Sequence, residues 1–390
     1  MSFRASLSLV AFCFALVGCG DSSPTISAPL IAPSSPALAV LTQADGTPVM
    51  TNLANARGLA WGPEGALYVA EAGRGGTGPC MIVLGSTVCY GATGAVSRLW
   101  HGKQERLISD LPSWVVTSNK SGNSEGPNGI SLNGLGNAYV SIGLEANPAE
   151  RDAAPELGGF GRLVRLSPSA LSPGHGGGRG APDWEFVADL GQYELDVNPD
   201  CGDLDSNPFG VLAVPGAVLV PDAGANAIIQ LDANGQLSTL AAFSNNTTVP
   251  GPGCPAASTR DFVPTSITVG PDGAYYIGHL NGLAILKGSS SIWRLERGGA
   301  PEQFCTGFTW IIALAFDATG NIYVLQHSDG PFTNSGGSLI RVAPDCSRQT
   351  VVTGLNRPTG LAVDDEGHVY VSLINGLNFA AEGQVRRFTP

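Results

Sequence analysis

A unit of fourteen residues recurs six times along the chain, and such repetition restricts the fold to architectures built from one supersecondary element used over and over. Copies open at Pro264, Ile311 and Pro358, 47 residues apart, and again at Ala56, Pro127 and, one residue shorter, Pro208. Each copy reads as an alternating apolar strand, a tight turn and a second strand. The turns centre on Gly65, Gly136, Gly216, Gly273, Gly320 and Gly367, and the second strands carry Tyr68, Tyr139, Leu219, Tyr276, Tyr323 and Tyr370. Alternation gives each strand one buried face, and glycine supplies the positive φ a tight hairpin needs. Two weaker strands follow each pair, as at residues 291–296 and 303–304. Four strands at this period make one propeller blade, so the prediction is an all-β fold, a six-bladed β-propeller.

The ends of the repeat region predict how the ring closes. The last copy stops after its third strand, residues 383–390, while Val49-Met-Thr-Asn-Leu53 ahead of the first copy matches Val351-Val-Thr-Gly-Leu355 ahead of the sixth. An N-terminal strand at 47–53 is therefore expected to complete the last blade, which removes two exposed sheet edges at once. With 53 Gly and 28 Pro against 13% charged residues, and no helical spacing of apolar positions, one β domain over residues 40–390 is expected rather than two smaller ones.

Upstream of the ring the chain reads as an export signal. Residues 1–18 combine Arg4 with an apolar run too short to span a bilayer. They end in Leu16-Val17-Gly18-Cys19, which resembles the lipobox of bacterial lipoproteins. Cys19 is thus the expected lipidation site, and residues 19–39, rich in Ser, Pro and Ala, a flexible tether. Gly20 after the cysteine points to the outer membrane, facing periplasm or cell surface. Membrane contact is expected through the lipid alone, and the domain is expected to be a monomer. The net charge of −12 with scattered basic residues excludes a nucleic-acid surface, which needs clustered Lys and Arg. Six cysteines remain after Cys13 and Cys19 are set aside. In an oxidising compartment they imply a disulfide framework whose connectivity sequence leaves open. The favoured pairs are Cys80 with Cys89, in one Gly-rich loop, then Cys201 with Cys254, then the remaining Cys305 with Cys346.

Mapping the repeats onto a blade with strands a to d from the axis outward sorts the long connections onto one face. Residues 73–94, 144–160 and 280–290 join strands b and c, and residues 112–126, 190–207 and 244–263 join d to the next a. Only 168–182 falls on the other face. Loops longer than a fold needs are where binding is usually built, so a site is expected on the first face, over the central channel. Glu71, Asp222, Asn128 and Asn207 offer hard oxygen donors there, a set that suits Ca²⁺ or another divalent cation. Water-filled polar packing is the competing explanation. Ligand contacts are expected from Arg57, Glu71, Asp222, Asn226 and His279. His279 and His327 are the candidate general bases. The stretch Asp200-Cys-Gly-Asp-Leu-Asp-Ser-Asn207 starts like a calcium loop. It has Pro208 where an EF-hand needs Gly and Val214 where the bidentate Glu belongs, which leaves a looser cation site or a plain solvated loop, the loop being favoured.

Several segments resemble the ScyD/ScyE family of proteins, itself related to NHL-repeat propellers. They are Arg57 to Gly73, Tyr193-Glu194 with Asn198-Pro199-Asp200, Asp205 to Gly210, Pro221 to Asn226 and Val263 to Gly273. The resemblance runs from Leu53 to the C-terminus and implies the six-bladed fold. His279 stands where that family is expected to carry Glu, and Cys201 interrupts the run after Asn-Pro-Asp. The wider group includes gluconolactonase-like hydrolases that hold a divalent cation with Glu, Asn and Asp, and Glu71, Asn128 and Asp222 resemble that trio in type. Two functions follow. The first is an exported, lipid-anchored propeller that binds a small molecule, glycan or protein on its loop-rich face. The second is a divalent-metal-assisted hydrolase or lyase of the gluconolactonase-like type.

Overall fold

Six four-stranded antiparallel units hold all but three of the described strands, and their connectivity is that of a β-propeller. The computed structural model describes residues 39–116, 124–134, 136–172, 182–244, 254–256, 258, 260–282, 286–330, 336–374 and 382–390. Cys19, with the signal and nearly all of the tether, lies outside the described residues. Blade 1 is built on Ala56–Trp61, Leu67–Glu71, Ser86–Trp100 and Lys103–Val116, and blade 2 on Pro127–Leu132, Ala138–Ile142, Arg162–Leu166 and Trp184–Asp189. Blade 3 comprises Leu212–Val214, Ala217–Asp222, Ala227–Asp232 and Leu237–Ala242, and blade 4 Pro264–Val269, Tyr275–His279, Ser290–Leu295 and Glu302–Phe308. Blade 5 holds Ile311–Phe316, Ile322–Gln326, Gly337–Val342 and Arg348–Leu355. Blade 6 takes three strands, Pro358–Val363, Val369–Ile374 and Glu382–Phe388, from the end of the chain, and its fourth, Thr47–Ala54, from the beginning.

That fourth strand runs antiparallel to the last one, from Thr47 opposite Arg387 to Ala54 opposite Glu382. Just before it, Leu41–Thr42 pairs in parallel with the outer strand of blade 5. The start of the domain therefore straddles two blades. Arg386 fixes the crossing by donating to the carbonyls of Gln43 (2.7 Å) and Gly46 (2.5 Å).

The apolar residues sort into six buried clusters, one at each junction between neighbouring blades. This is what a ring of half-buried sheets requires, since each sheet has two faces to cover and only its neighbours to cover them. The closing junction consists of Met50 and Leu53 against Ala56, Leu59, Leu67 and Val69, with Tyr370 and Val385. Hydroxyls near the axis tie neighbouring blades together. Ser141 donates to the Phe209 carbonyl (2.8 Å), Thr265 to Ile311 (2.7 Å) and Thr359 to Ala56 (2.7 Å).

On the opposite face the repeat has a polar signature. The tyrosine of strand b stands across from an arginine of strand c at Tyr68–Arg98, Tyr139–Arg165, Tyr276–Arg294, Tyr323–Arg341 and Tyr370–Arg387. Tyr68, Tyr276 and Tyr370 donate to the carboxylates of Glu64, Asp272 and Asp364 in the a-to-b turns. Blade 3 has Leu219 across from Gln230 instead.

Two local expectations change. In blade 2 the positive φ belongs to Gly134 (77°) and not to Gly136, and the turn closes through the Asn137 amide on the Gly134 carbonyl (3.1 Å), whereas in blade 1 Gly65 itself donates to Gly62. Several long connections are also structured. Within 73–94, Cys80–Val83 pairs with the third strand of blade 1, which is prolonged to 15 residues. Residues 144–160 contain the 3₁₀ turns Pro148–Ala153 and Pro155–Gly159, and 190–207 contains the helix Leu190–Val197. All three expected disulfides form: Cys80–Cys89, Cys201–Cys254 and Cys305–Cys346. Such a framework belongs to an oxidising, exported compartment. Among the described residues no helix is long and apolar enough to cross a membrane.

Candidate functional site

The inner strands of all six blades enclose a channel of ≈ 90 Å³, lined by Gly58, Asn128, Gly210, Thr265, Ile312 and Gly360 among others. Such a volume is large enough to hold water.

At the loop-rich mouth the starts of the a strands bring charged side chains together. Arg57, only 8% exposed, donates through Nη2 to the Ser124 carbonyl and, at 3.3 Å, to the Ser124 hydroxyl. The next residue, Glu125, is 3% exposed and accepts from Asn128 Nδ2. Burial raises its pKa, against the pull of Arg57 and of the Asn128 and Asn207 amides. Asn207 Oδ1 accepts from the Leu144 amide (3.1 Å). The backbone at Gly143 passes so close beneath this group that a Cβ would lie 2.6 Å from Asn207 Oδ1 and closer still to Glu125. Arg57 Nε and Asn128 Oδ1 are buried without a hydrogen-bond partner among the described residues.

Arg357, just before strand a of blade 6, and His327, just after strand b of blade 5, complete the mouth. Burial lowers the pKa of Arg357, and the Arg57 charge lowers it further. His327 donates from Nδ1 to the Pro358 carbonyl (2.8 Å) and stacks on Trp310 with centroids 5.7 Å apart. Burial pushes its pKa down to about 4, opposed by the Pro358 hydrogen bond and assisted by Arg357 and Arg57. At neutral pH the ring is neutral beside two guanidinium groups.

The four expected metal donors do not meet. Asn128 and Asn207 converge, but on Glu125. Glu71 is fully buried, and its side chain is directed to the outer strands. Oε1 accepts from Ser97 (2.5 Å) and Arg106 Nε (3.2 Å), and Oε2 from the Ala54 amide (2.6 Å) and Arg106 Nη2 (2.6 Å). With four donors it joins blade 6 to blade 1 as a structural carboxylate. Asp222 is equally buried. It accepts from the Asn207 amide (2.6 Å), the Ser206 hydroxyl (2.7 Å) and the Ala225 amide (3.2 Å), and it belongs to a second group around the helix Leu190–Val197. Asn226, expected to contact ligand, is a strap: Nδ2 donates to Asp200 (2.8 Å) and Oδ1 accepts from the Val263 amide (2.8 Å).

His279 is structural as well, because both ring nitrogens are used. Nδ1 faces the Phe262 carbonyl (3.0 Å) and Nε2 accepts from the Ser291 amide (2.9 Å), which sets the neutral tautomer and leaves no lone pair for a substrate proton. Burial pushes its pKa down to about 4, against hydrogen bonds to Phe262 and Asn281. The depressed value means that the folded state favours the neutral ring. Its stabilising contribution is complete above the unfolded value near 6.5 and is lost as pH falls from there towards 4. We expect the wild type to lose about 2 kcal/mol more than His279→Gln between pH 7 and pH 5, read from urea midpoints.

Glu125 and Arg357 are not singled out by the sequence, and Glu194 only as part of the family-resembling Tyr193-Glu194. Glu125 and Arg357 each lie one or two residues ahead of a repeat, at the register already occupied by Asn207, and that register was the available signal.

No family model matches the chain, and no curated protein matches it in sequence. Solved structures similar in fold include the PQQ-bound form of aldose sugar dehydrogenase from Streptomyces coelicolor. It is 11% identical, with 88% of this chain and 97% of that one covered and a TM-score of 0.51. Another, a protein assigned as an oxidoreductase (glucose dehydrogenase) from Thermus thermophilus, is 16% identical over 88% and 99%, with a TM-score of 0.51. A gluconolactonase from Xanthomonas campestris is 10% identical over 92% and 99%, with a TM-score of 0.48. At such identities the likeness concerns the fold alone.

Proposed function

We propose that this chain is an exported, lipid-anchored propeller of the ScyD/ScyE type that binds the anionic group of a small molecule or glycan at the loop-rich mouth of its channel. The observation that carries the reading is the pair Arg57 and Arg357, close enough for one charge to weaken the other's hold on its proton. They lie on a chain whose net charge is −12. Two guanidinium groups outweigh the one neighbouring acid, Glu125, and the resulting positive field attracts a carboxylate or phosphate, which a guanidinium fork recognises with directional hydrogen bonds. Asn128 Oδ1 adds a buried acceptor for a ligand hydroxyl, and neutral His327 adds a second polar contact. The family assignment is supported by the resembling segments at 193–200, 205–210 and 221–226, which pack together although they are apart in sequence. Anchoring rests on Cys19. A metal-assisted hydrolase or lyase is the second reading, favoured only by His327 standing beside the two arginines.

The test is thermal melting of the full-length protein against paired ligands, such as sugar acids and the corresponding neutral sugars. Acidic members should raise the melting temperature of the wild type and leave that of Arg357→Met unchanged. Equal shifts from neutral and acidic members, or an undiminished shift in Arg357→Met, would remove the anion site. Turnover of any acidic ligand by the wild type and not by His327→Gln would move the assignment to the second reading.

A further inference from the structure

Between blades 6 and 1, towards the outer rim of the loop-rich face, lies a cavity of ≈ 360 Å³ that shares no lining residue with the channel. Its walls come from the two ends of the ring: Asn52 and Ala54 on the closing strand, and Arg74, Arg106 and Asp110 on blade 1. The two walls are tied together. Gln104 of blade 1 makes two hydrogen bonds with the Thr51 backbone (3.0 and 2.8 Å), and Glu71 accepts from the Ala54 amide on one side and from Arg106 on the other.

The strands around the cavity are bulged. The closing strand slips register between Met50 and Leu53, and the two outer strands of blade 1 slip between Gly94 and Val96. Asn52, Ser109 and Asp110 fall inside these slips and line the cavity, which is how a bulge re-aims a side chain towards a site. The repeats separate what the fold needs here from what is added to it. The segment reads Thr306-Gly307-Phe308 in blade 4 and Thr353-Gly354-Leu355 in blade 5, against Thr51-Asn52-Leu53 and Ser109-Asp110-Leu111 beside the cavity. All four central residues are left-handed, with φ of 85°, 67°, 57° and 65°. Glycine is the unstrained choice at such a position, and Asn and Asp are the side chains that tolerate it best. Of these four blades, only the two that border the cavity place a polar side chain at the bulge.

The charges that remain for a ligand are one of each sign. Arg106 commits Nε and Nη2 to the buried Glu71, which fixes its guanidinium plane and leaves Nη1 to donate elsewhere. Arg74 is exposed. Its amide donates to the Thr93 hydroxyl (2.8 Å), and its side chain has no ion-pair partner among the described residues. Asp110 is exposed too, and its carboxylate accepts from the Ser109 hydroxyl (3.2 Å). Small apolar walls at Ala54, Ala92 and Ala95 complete the cavity. An anion alone is repelled by Asp110, and a cation alone by the two arginines. A molecule that carries both charges satisfies the site, and a wrong partner leaves one charge unmatched.

We propose that this cavity binds a small zwitterion of the amino-acid class, its carboxylate held by Arg74 and by Nη1 of Arg106, and its ammonium by Asp110 with the side-chain oxygen of Asn52. Ligand pockets span about 300–1,000 Å³, and ≈ 360 Å³ is at the small end of that range, the size for an amino acid or a dipeptide. The site is separate from the anion site at the channel mouth and draws on none of its residues. Because one wall belongs to the closing strand and the other to blade 1, an occupant links the two ends of the ring, and binding is read as a gain in thermal stability.

The experiment melts the full-length protein with each of the common amino acids and with the dipeptide Ala-Ala, and follows every hit by calorimetry beside its N-acetyl and its amide derivative, each of which removes one charge. At least one zwitterion should raise the melting temperature, and both of its derivatives should bind at least about ten-fold more weakly. Arg74→Met and Asp110→Asn change exposed side chains, so they should fold as the wild type does and lose at least about ten-fold in affinity. Asp110→Gly separates a ligand role from a role in the fold. It installs the residue that blades 4 and 5 carry at the same bulge, so without ligand it should melt as the wild type does, and it should still lose binding. Arg357→Met, at the channel mouth, should keep the zwitterion shift, so that failure of the anion site and failure of this one are told apart. The proposal is overturned if no zwitterion raises the melting temperature, or if the N-acetyl or the amide derivative binds as tightly as its parent. It is also overturned if Arg74→Met and Asp110→Asn both bind unchanged, or if Asp110→Gly melts far below the wild type without ligand, which would make the Asp110 side chain a part of the fold.

Discussion

Deleting residues 40–53 is expected to abolish folding, while deleting residues 21–36 leaves the domain as stable as the full chain. The shorter-looking loss is the lethal one because Thr47–Ala54 is the outer strand of blade 6 and supplies Met50 and Leu53, 1% and 0% exposed, to the junction between blades 6 and 1. Truncating either side chain to alanine costs about 2–5 kcal/mol. Removing both together with the strand's hydrogen bonds exceeds the ~5–15 kcal/mol by which domains are stable. It also exposes the edge at Glu382–Phe388 to other chains. Near-ultraviolet circular dichroism and limited proteolysis read the result. A protease-resistant core in the 40–53 deletion would show that the ring holds without its closing strand. The graded version, Met50→Ala with Leu53→Ala, should lower stability by about 6 kcal/mol.

Glu71→Ala should destabilise the protein by about 3 kcal/mol, equally in EDTA and in excess Ca²⁺. The substitution strands the Ala54 amide and the Ser97 hydroxyl, whose hydrogen bonds to Glu71 are 2.6 and 2.5 Å, and each buried orphan costs about 1–3 kcal/mol. Arg106 is half-exposed and returns to water, so its charge adds little. Glu71→Gln keeps one acceptor and should lose about half as much. Urea midpoints in the two buffers settle the role. A defect that appears only in the presence of Ca²⁺ would make Glu71 a cation ligand after all.

The ring was legible in the chain because every copy of the unit has to satisfy the same neighbours. Six alternating strands with six turns specify six sheets. The missing last strand and its match at Val49–Leu53 specify the closure found from Thr47 to Ala54. The side chains at the mouth were less legible, since a position in a repeat tells which face a residue is on and not where its side chain turns. Glu71 and Asp222 both end a b strand, yet one reaches outward to Arg106 and the other is wrapped by the 205–207 backbone. Those partners sit in parts of the sequence that do not repeat. The same limit hid the surroundings of Glu194. That residue lies on a helix inserted between two repeats, where one buried acid looks like any other helical glutamate until the fold surrounds it with three more. Blade 3 shows the converse. Leu219 for tyrosine was visible, and it coincides with Gln230 in place of the arginine opposite. The two depart together because each was the other's cross-strand partner.

Arg386 and Gly46, joined by a hydrogen bond at the closing seam, are 340 residues apart along the chain. During synthesis and export the first strand of the domain therefore waits for the last. Five blades can be assembled while Thr47–Ala54 still has no partner, and the seam forms only after the final residues have crossed the membrane. Long-range pairings of this kind are slow to form and leave an adhesive strand exposed meanwhile. The interval between emergence of the N-terminal strand and arrival of residues 382–388 is thus the period in which the unpaired strand is most open to aggregation. Lengthening that interval, for instance by slowing translation late in the message, should reduce yield without altering the stability of the molecules that do close.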